Sequence, residues 1–268
     1  MQHNTPISQY PNIPISFNIS LKMIDIFHRR MTLEHIAVQT WESLLEEGHD
    51  RLGTLLRRSQ FAYDDAIGYA QRMPLRYNLR PDYGQFQFSK SQRKLLRNNA
   101  GLAYKFAVAV DSDEKLALFE RWYIARFGHP ESLSIWFKQD TPIRSYDLLV
   151  YKHNKLIACS NFDITENAQY SNIAFYDPDE KNLNLGTWTM LKEIELGLNN
   201  NKLIHYPGYA YMEVSKFEYK KNFPNVEFYD WYSKSWKRLS NFDLEHREQW
   251  EGGSNAHYWA VHQQQLVL

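Results

Sequence analysis

Residues 171–198 read SNIAFYDPDEKNLNLGTWTMLKEIELGL, and the change of period inside this stretch decides the fold. Ser171 to Tyr176 alternates like a strand, Asp177-Pro178 breaks it, and from Leu185-Gly186 onward Trp188, Leu191, Ile194 and Leu198 recur at helical spacing. Upstream, Tyr146 to Tyr151 and Leu156 to Asp163 read as two strands joined by a turn at Lys152-His153-Asn154-Lys155. Downstream, the Asn199-Asn200-Asn201 stop precedes a strand at Lys202 to Tyr206, helical signals over Val214 to Lys221, and strands at Val226 to Trp231 and His257 to His262. A hairpin followed by further strands with helices between them predicts an α+β (α/β) domain whose sheet is mostly antiparallel.

Ahead of this region, Leu116, Phe119, Tyr123 and Phe127 form a helical stripe that Gly128-His129-Pro130 ends. An amphipathic helix is predicted over Thr32 to Glu47, with Gly48 as its stop. Ser89 and Gln92 have capping-box spacing and should start a helix that carries Arg93 and Arg97 on one face. A boundary near 105–112 would divide the chain into domains 1–110 and 111–268.

The 268 residues hold 31 bases against 31 acids, which argues against a nucleic-acid binder that is basic over its whole surface. The balance is local, however. Between Arg76 and Arg97 six bases meet one acid, an excess of five. The single cysteine, Cys159, excludes intramolecular disulfides and multi-cysteine metal sites, and no histidine pair has metal-binding spacing. Serine-hydrolase, P-loop and zinc-peptidase motifs are absent. No apolar run is long enough to span a bilayer, so no membrane partner and a cytoplasmic location are expected.

Three clusters carry candidate chemistry, each beside a plainer reading. Leu185-Gly186 is either a simple strand-to-helix turn or the start of a helix whose amides hold an anion. Asp177-Pro178-Asp179-Glu180 is a solvated bend, or a set of carboxylates for a cationic side chain or an ammonium. Tyr206-Pro207-Gly208-Tyr209-Ala210-Tyr211, with Lys216, Tyr219 and Lys220 beyond it, is core packing or a pocket that stacks the exposed bases of a nucleic-acid end.

The strand, loop and helix around Gly186 resemble the acetyltransferase superfamily called GNAT, although one glycine with no base close before it makes a poor coenzyme A cradle. More specifically, the segments Leu44-Leu45-Glu46-Glu47-Gly48, Pro74-Leu75-Arg76 and Phe88 to Asn98 resemble the first domain of the arginyl-tRNA-protein transferases and the related bacterial aspartate/glutamate leucyltransferases. Phe175 to Asp179, Leu183 to Trp188, Leu191 to Leu196, Tyr206 to Tyr209 and Lys216 to Lys220 are similar to runs of their second domain. The resemblance covers about residues 40–235, and the order and spacing of the pieces make it specific.

It implies a GNAT-like C-terminal catalytic domain after a smaller mixed N-terminal domain, with aminoacyl-tRNA as donor and the N-terminal amine of a protein or peptide as acceptor. The transferred residue would be arginine or leucine, and the acceptor typically begins with Asp or Glu. Gly186, Tyr209, Tyr219 and Lys220 are then candidates for the reacting centre, beside Tyr176, Tyr206 and Lys216. Asp177 and Asp179 are candidates for a cationic aminoacyl group or the attacking ammonium, and Arg76, Arg93 and Arg97 for an acidic acceptor side chain or tRNA phosphates. The chain departs from the family in having no cysteine over Phe61 to Met73, so no thiolate-bound metal or other cofactor is expected, and in Pro207 and Phe217. Two alternatives stay open: an acyl-CoA-dependent acyltransferase acting on a small molecule or biosynthetic peptide, and a tRNA- or degron-binding homologue without catalysis.

Overall fold

The computed structural model describes residues 28–32, 36–64, 67–136, 143–231 and 233–240. Among the described residues, β1 (His28–Thr32), β2 (Asp50–Leu52) and β3 (Leu55–Ser59) form a three-stranded antiparallel sheet in the order β1-β3-β2. Helix α1 (Val38–Glu46) buries Trp41, Leu44 and Leu45. It is shorter than the predicted span, because Thr32 closes β1 and residues 33–35 lie outside the described set. Gly48, at φ +79°, turns the chain just past the helix, and a Cβ there would lie 3.0 Å from the Tyr229 ring.

Strand β4 (Phe61–Asp64) pairs with β5 (Gly68–Asn78), an eleven-residue strand that carries the chain into the main sheet. The remaining strands are β6 (Ala103–Val108), β7 (Ser145–Lys152), β8 (Lys155–Ile164), β9 (Ala168–Tyr176), β10 (Ile204–Tyr206), β11 (Tyr209–Tyr211), β12 (Val226–Asp230) and β13 (Ser235–Arg238). Along the sheet the order is β13-β12-β5-β10-β9-β8-β7-β6, with β4 and β11 also paired to β5. Of the strand pairs, β9 with β10 is parallel and the others are antiparallel. The architecture is therefore α+β with a mixed, mostly antiparallel sheet. The predicted hairpin forms because His153 and Asn154 both take positive φ (50° and 62°), as a two-residue primed turn requires.

Helix α2 (Lys90–Asn98) begins with the predicted capping box of Ser89 and Gln92. Helix α3 (Asp113–Phe127) ends at Gly128 in the left-handed region. Its buried stripe is Leu118, Phe119, Trp122 and Tyr123, so Leu116, placed on that stripe from sequence, faces solvent instead. Helix α4 (Leu185–Asn199) buries Trp188, Leu191 and Ile194 as predicted.

The two long helices cover opposite faces of the same strands. Phe119 and Trp122 of α3 meet Cys159, Ile173 and Phe175, whereas Leu185 and Trp188 of α4 meet Leu148, Val150, Ala158 and Phe162. The segment expected to be helical over Val214 to Lys221 is a loop ending in a short 3-10 turn, Glu218–Asn222. There the Lys220 ammonium bonds backward to carbonyls of the 207–209 bend. The predicted strand at His257 to His262 lies outside the described residues. No helix among the described residues is long and apolar enough to cross a membrane.

Candidate functional site

Strands β9 and β10 run parallel for three residues, Ile204 opposite Ala168, His205 opposite Gln169 and Tyr206 opposite Tyr170, and then separate. Strand β9 continues to Tyr176 beside β8, while Pro207-Gly208 bends the other strand away from β9, and it stays paired with β5 as β11. Gly208 makes this bend at φ +82°. The opening thus begins at Tyr170, six residues before the end of β9.

A shift in pairing shapes the opening. Asn161 sits opposite Ile173 but Phe162 sits opposite Ser171, leaving Asn172 as an extra residue on β9. Without it Ser171 would share the α3 face with Ile173 and Phe175. The bulge turns Ser171 to the α4 face, where its hydroxyl meets Glu193.

A cavity of about 630 Å³ fills the space between the separated strands, α3, the start of α4 and the 207–220 segment. Six Lys and Arg side chains line it against three carboxylates, and Trp122, Tyr123, Phe127, Tyr209, Tyr211 and Phe217 supply aromatic walls. Positive charge beside aromatic faces suits the phosphates and bases of a single-stranded RNA end.

Of the residues singled out from sequence, Gly186, Tyr209, Tyr219, Lys220, Tyr176 and Lys216 all line this cavity. Helix α4 starts from Asn184 in the left-handed region without a side-chain cap, so its first amides are left for another partner. A Cβ at Gly186 would lie 3.2 Å from Tyr176 Cε1, so the tyrosine ring packs against this glycine.

Lys220 donates from Nζ to Pro207 O at 2.8 Å and Tyr209 O at 3.3 Å, holding the bend. Burial, assisted by the Arg72 charge, brings its ammonium down to about 8. Tyr219 is exposed at its edge, but desolvation by the surrounding side chains pushes its phenol up to about 12, so it remains a hydrogen-bond donor at neutral pH. Arg72 stacks on Tyr209 with its guanidinium carbon 3.7 Å from the ring centre. Lys216 lies 3.4 Å from Asp64 and 5.1 Å from the Phe127 ring centre.

The other candidates sit elsewhere and do not line the cavity. Asp177 is bound to Arg121 at 2.8 Å and Lys155 at 2.7 Å, and Asp179 to Arg121 at 3.1 Å. Arg76 is buried between Glu227 at 2.7 Å and Glu46 at 2.6 Å, under the Trp236 ring. Tyr206 is buried and donates its hydroxyl to Glu46. Arg93 and Arg97 are exposed on α2.

Several cavity residues were not found from sequence. Asp50 of β2 is paired with Arg57 and Arg72; burial would raise its carboxyl, but these two cations hold it at about 2. Arg51, 4% exposed, donates to Asp163 at 2.9 Å, Ser145 at 2.8 Å and Asn172 at 2.6 Å, and braces the bulge. Glu193 lines the cavity floor, where burial pushes it up to about 7. Glu193 had a usable signal: it follows Gly186 at i+7 and so shares that face of the helix.

Residues 114–230 match the family described as the C terminus of arginine-tRNA-protein transferase, a span that runs from α3 through β12 and includes the separated strands. An aspartate/glutamate leucyltransferase of Ruegeria pomeroyi is 28% identical over 199 residues, covering 70% of this chain and 72% of its own. One from Stenotrophomonas maltophilia is 26% identical over 215 residues, covering 76% and 81%. Among solved structures, L-PGS from Bacillus licheniformis superposes with a TM-score of 0.40 at 13% identity over 55% of this chain and 46% of its own. FemX gives 0.40 at 7% identity over 71% and 65%. These two likenesses are too loose to carry an argument. The sequence match spans the separated strands, helix and turn of the cavity, and over this region the chain is similar to the C terminus of arginine-tRNA-protein transferase and to the aspartate/glutamate leucyltransferases.

Proposed function

We propose that this chain transfers the amino acid of an aminoacyl-tRNA, leucine or arginine, to the N-terminal amine of a protein or peptide that begins with Asp or Glu. One observation supports the reading above the rest: the opened β9–β10 pair, inside the matched segment, carries a basic and aromatic cavity large enough for an aminoacyl-adenosine end. In this reading residues 111–268 are a GNAT-like catalytic unit, and 1–110 is an N-terminal domain that lends β5 and β6 to its sheet.

The chemistry asks little of side chains. The tRNA ester is already activated, and an α-amine of pKa about 7.7–8.0 is partly neutral at pH 7. Holding amine and ester together therefore supplies most of the acceleration. Attack places negative charge on the carbonyl oxygen. The free amide at Gly186, the phenols of Tyr209 and Tyr219 and the Lys220 ammonium are the donors near enough to the opening to receive it. Lys216 and Arg126 would meet the terminal phosphates, and Arg93 and Arg97 the backbone further along the acceptor stem. Asp177, Asp179 and Arg76 hold the surrounding framework through their ion pairs.

The test is transfer of labelled leucine or arginine from charged tRNA to peptides starting with Asp or Glu. Incorporation at the peptide amine is expected. Tight coenzyme A binding with acyl-CoA turnover, or tRNA binding without transfer of either amino acid, would replace the proposal.

A further inference from the structure

Glu193 is 1% exposed, yet among the described residues no Lys or Arg pairs with it. Its carboxylate accepts hydrogen bonds from the hydroxyls of Ser160 and Ser171. Ser171 directly follows Tyr170, the last β9 residue paired with β10, so the carboxylate lies at the apex of the opening. Ser171 is half-buried and lines the cavity beside Glu193, with its hydroxyl bonded to the acid. Burial lowers His205 to about 3, so it is neutral. With the Ser171 proton directed at Glu193, the serine oxygen accepts from His205 Nε2 at 3.3 Å. That assigns the proton to Nε2 and leaves Nδ1, which has no partner among the described residues, unprotonated.

An N-terminal ammonium cannot attack an ester until it loses a proton, and a buried acid reached through one hydroxyl can take it. We propose that Glu193, acting through Ser171, accepts the proton released by the acceptor's ammonium. This inference rests on the transfer reading above. The Ser171 proton passes to the Glu193 carboxylate as the serine oxygen receives one from the ammonium. The freed lone pair forms the new C–N bond, the ester C–O bond breaks, and a second amine proton goes to the leaving ribose oxygen. Glu193 then returns its proton to solvent by the same path.

Other titratable groups feel the Glu193 charge. Lys220 on the 3-10 turn lowers its pKa, while Tyr219 on the same turn, Tyr77 on β5 and Cys159 on β8 stay neutral because desolvation pushes each of them up. The position of Glu193 near 7 lies close to the amine it would relieve, so little driving force is lost in the transfer.

The test is single-turnover transfer by the full chain from charged tRNA to an Asp-initiated peptide between pH 6 and 9. Wild-type rates should level off above pH about 7. Glu193→Gln should be slower by about 100-fold at pH 7, its rate climbing with pH toward the amine's own pKa, and Glu193→Asp should recover part of the loss. A folded Glu193→Gln with the wild-type pH profile, whether or not slowed by a constant factor, overturns the proposal. If Glu193→Gln does not fold, Ser171→Ala decides: a profile displaced toward the amine supports the relay, and an undisplaced one overturns it. Wild-type inactivity with every charged tRNA would defeat the transfer reading, whereas wild-type activity with an unaffected Glu193→Gln defeats this inference alone.

Discussion

Replacing Lys220 with Met keeps the length and apolar stem of the side chain and removes the ammonium that bonds Pro207 O and Tyr209 O. In the folded chain this lysine sits at about 8 against an ordinary 10.5, chiefly because it is buried. Between those two values the unfolded chain holds a proton on Lys220 that the folded chain does not, so stability rises with pH across that window. The full difference amounts to about 3 kcal/mol. Below pH 8 the buried charge costs about that much, while its hydrogen bonds to two carbonyls are worth about 1.5–3 kcal/mol each. The variant should therefore differ modestly from wild type at pH 7 and become less stable relative to it as pH rises from 8 to 10.5. Denaturant unfolding of both proteins at several pH values from 6.5 to 10.5 measures the difference and cancels the titration of all other groups. A difference that stays constant within about 0.5 kcal/mol over this range would refute the claim that Lys220 is desolvated. Transfer should fall by about 100-fold or more if the ammonium stabilises the oxyanion.

Arg51→Met leaves Asp163 buried without its cation and should cost about 3–5 kcal/mol in thermal or urea unfolding, with Arg51→Met/Asp163→Asn recovering most of it. Gly48→Ala forces a side chain into positive φ against the Tyr229 ring and should destabilise by about 1–3 kcal/mol, read as a lower urea midpoint at unchanged slope. Ser89→Ala removes one half of the α2 capping box and should cost about 1 kcal/mol without altering the cavity, checked by unfolding and by an unchanged transfer rate.

Where neighbouring residues along the chain set the structure, the sequence was sufficient. The β7–β8 hairpin follows from alternation around His153-Asn154, α4 from the helical recurrence of Trp188, Leu191 and Ile194, and the start of α2 from Ser89 and Gln92. Each rests on contacts within a few residues, which periodicity and capping report directly. Gly186, Tyr209, Tyr219 and Lys220 were tied to one region by the resemblance to the transferases, and all four line the cavity. Strand β5 could not be read in this way. It contains Pro74, is buried along most of its length without alternation, and finds β10, β11 and β12 more than a hundred residues away. Lys216, Tyr219 and Lys220 do share one side, but a loop and a 3-10 turn bring them there, because Lys220 bonds backward to the 207–209 bend. The bulge at Asn172 that aims Ser171 at Glu193, and the burial that holds Glu193 near 7, arise only when β8, β9 and α4 pack together. Desolvation and long-range strand pairing are properties of the assembled chain, and no local pattern of residues encodes them.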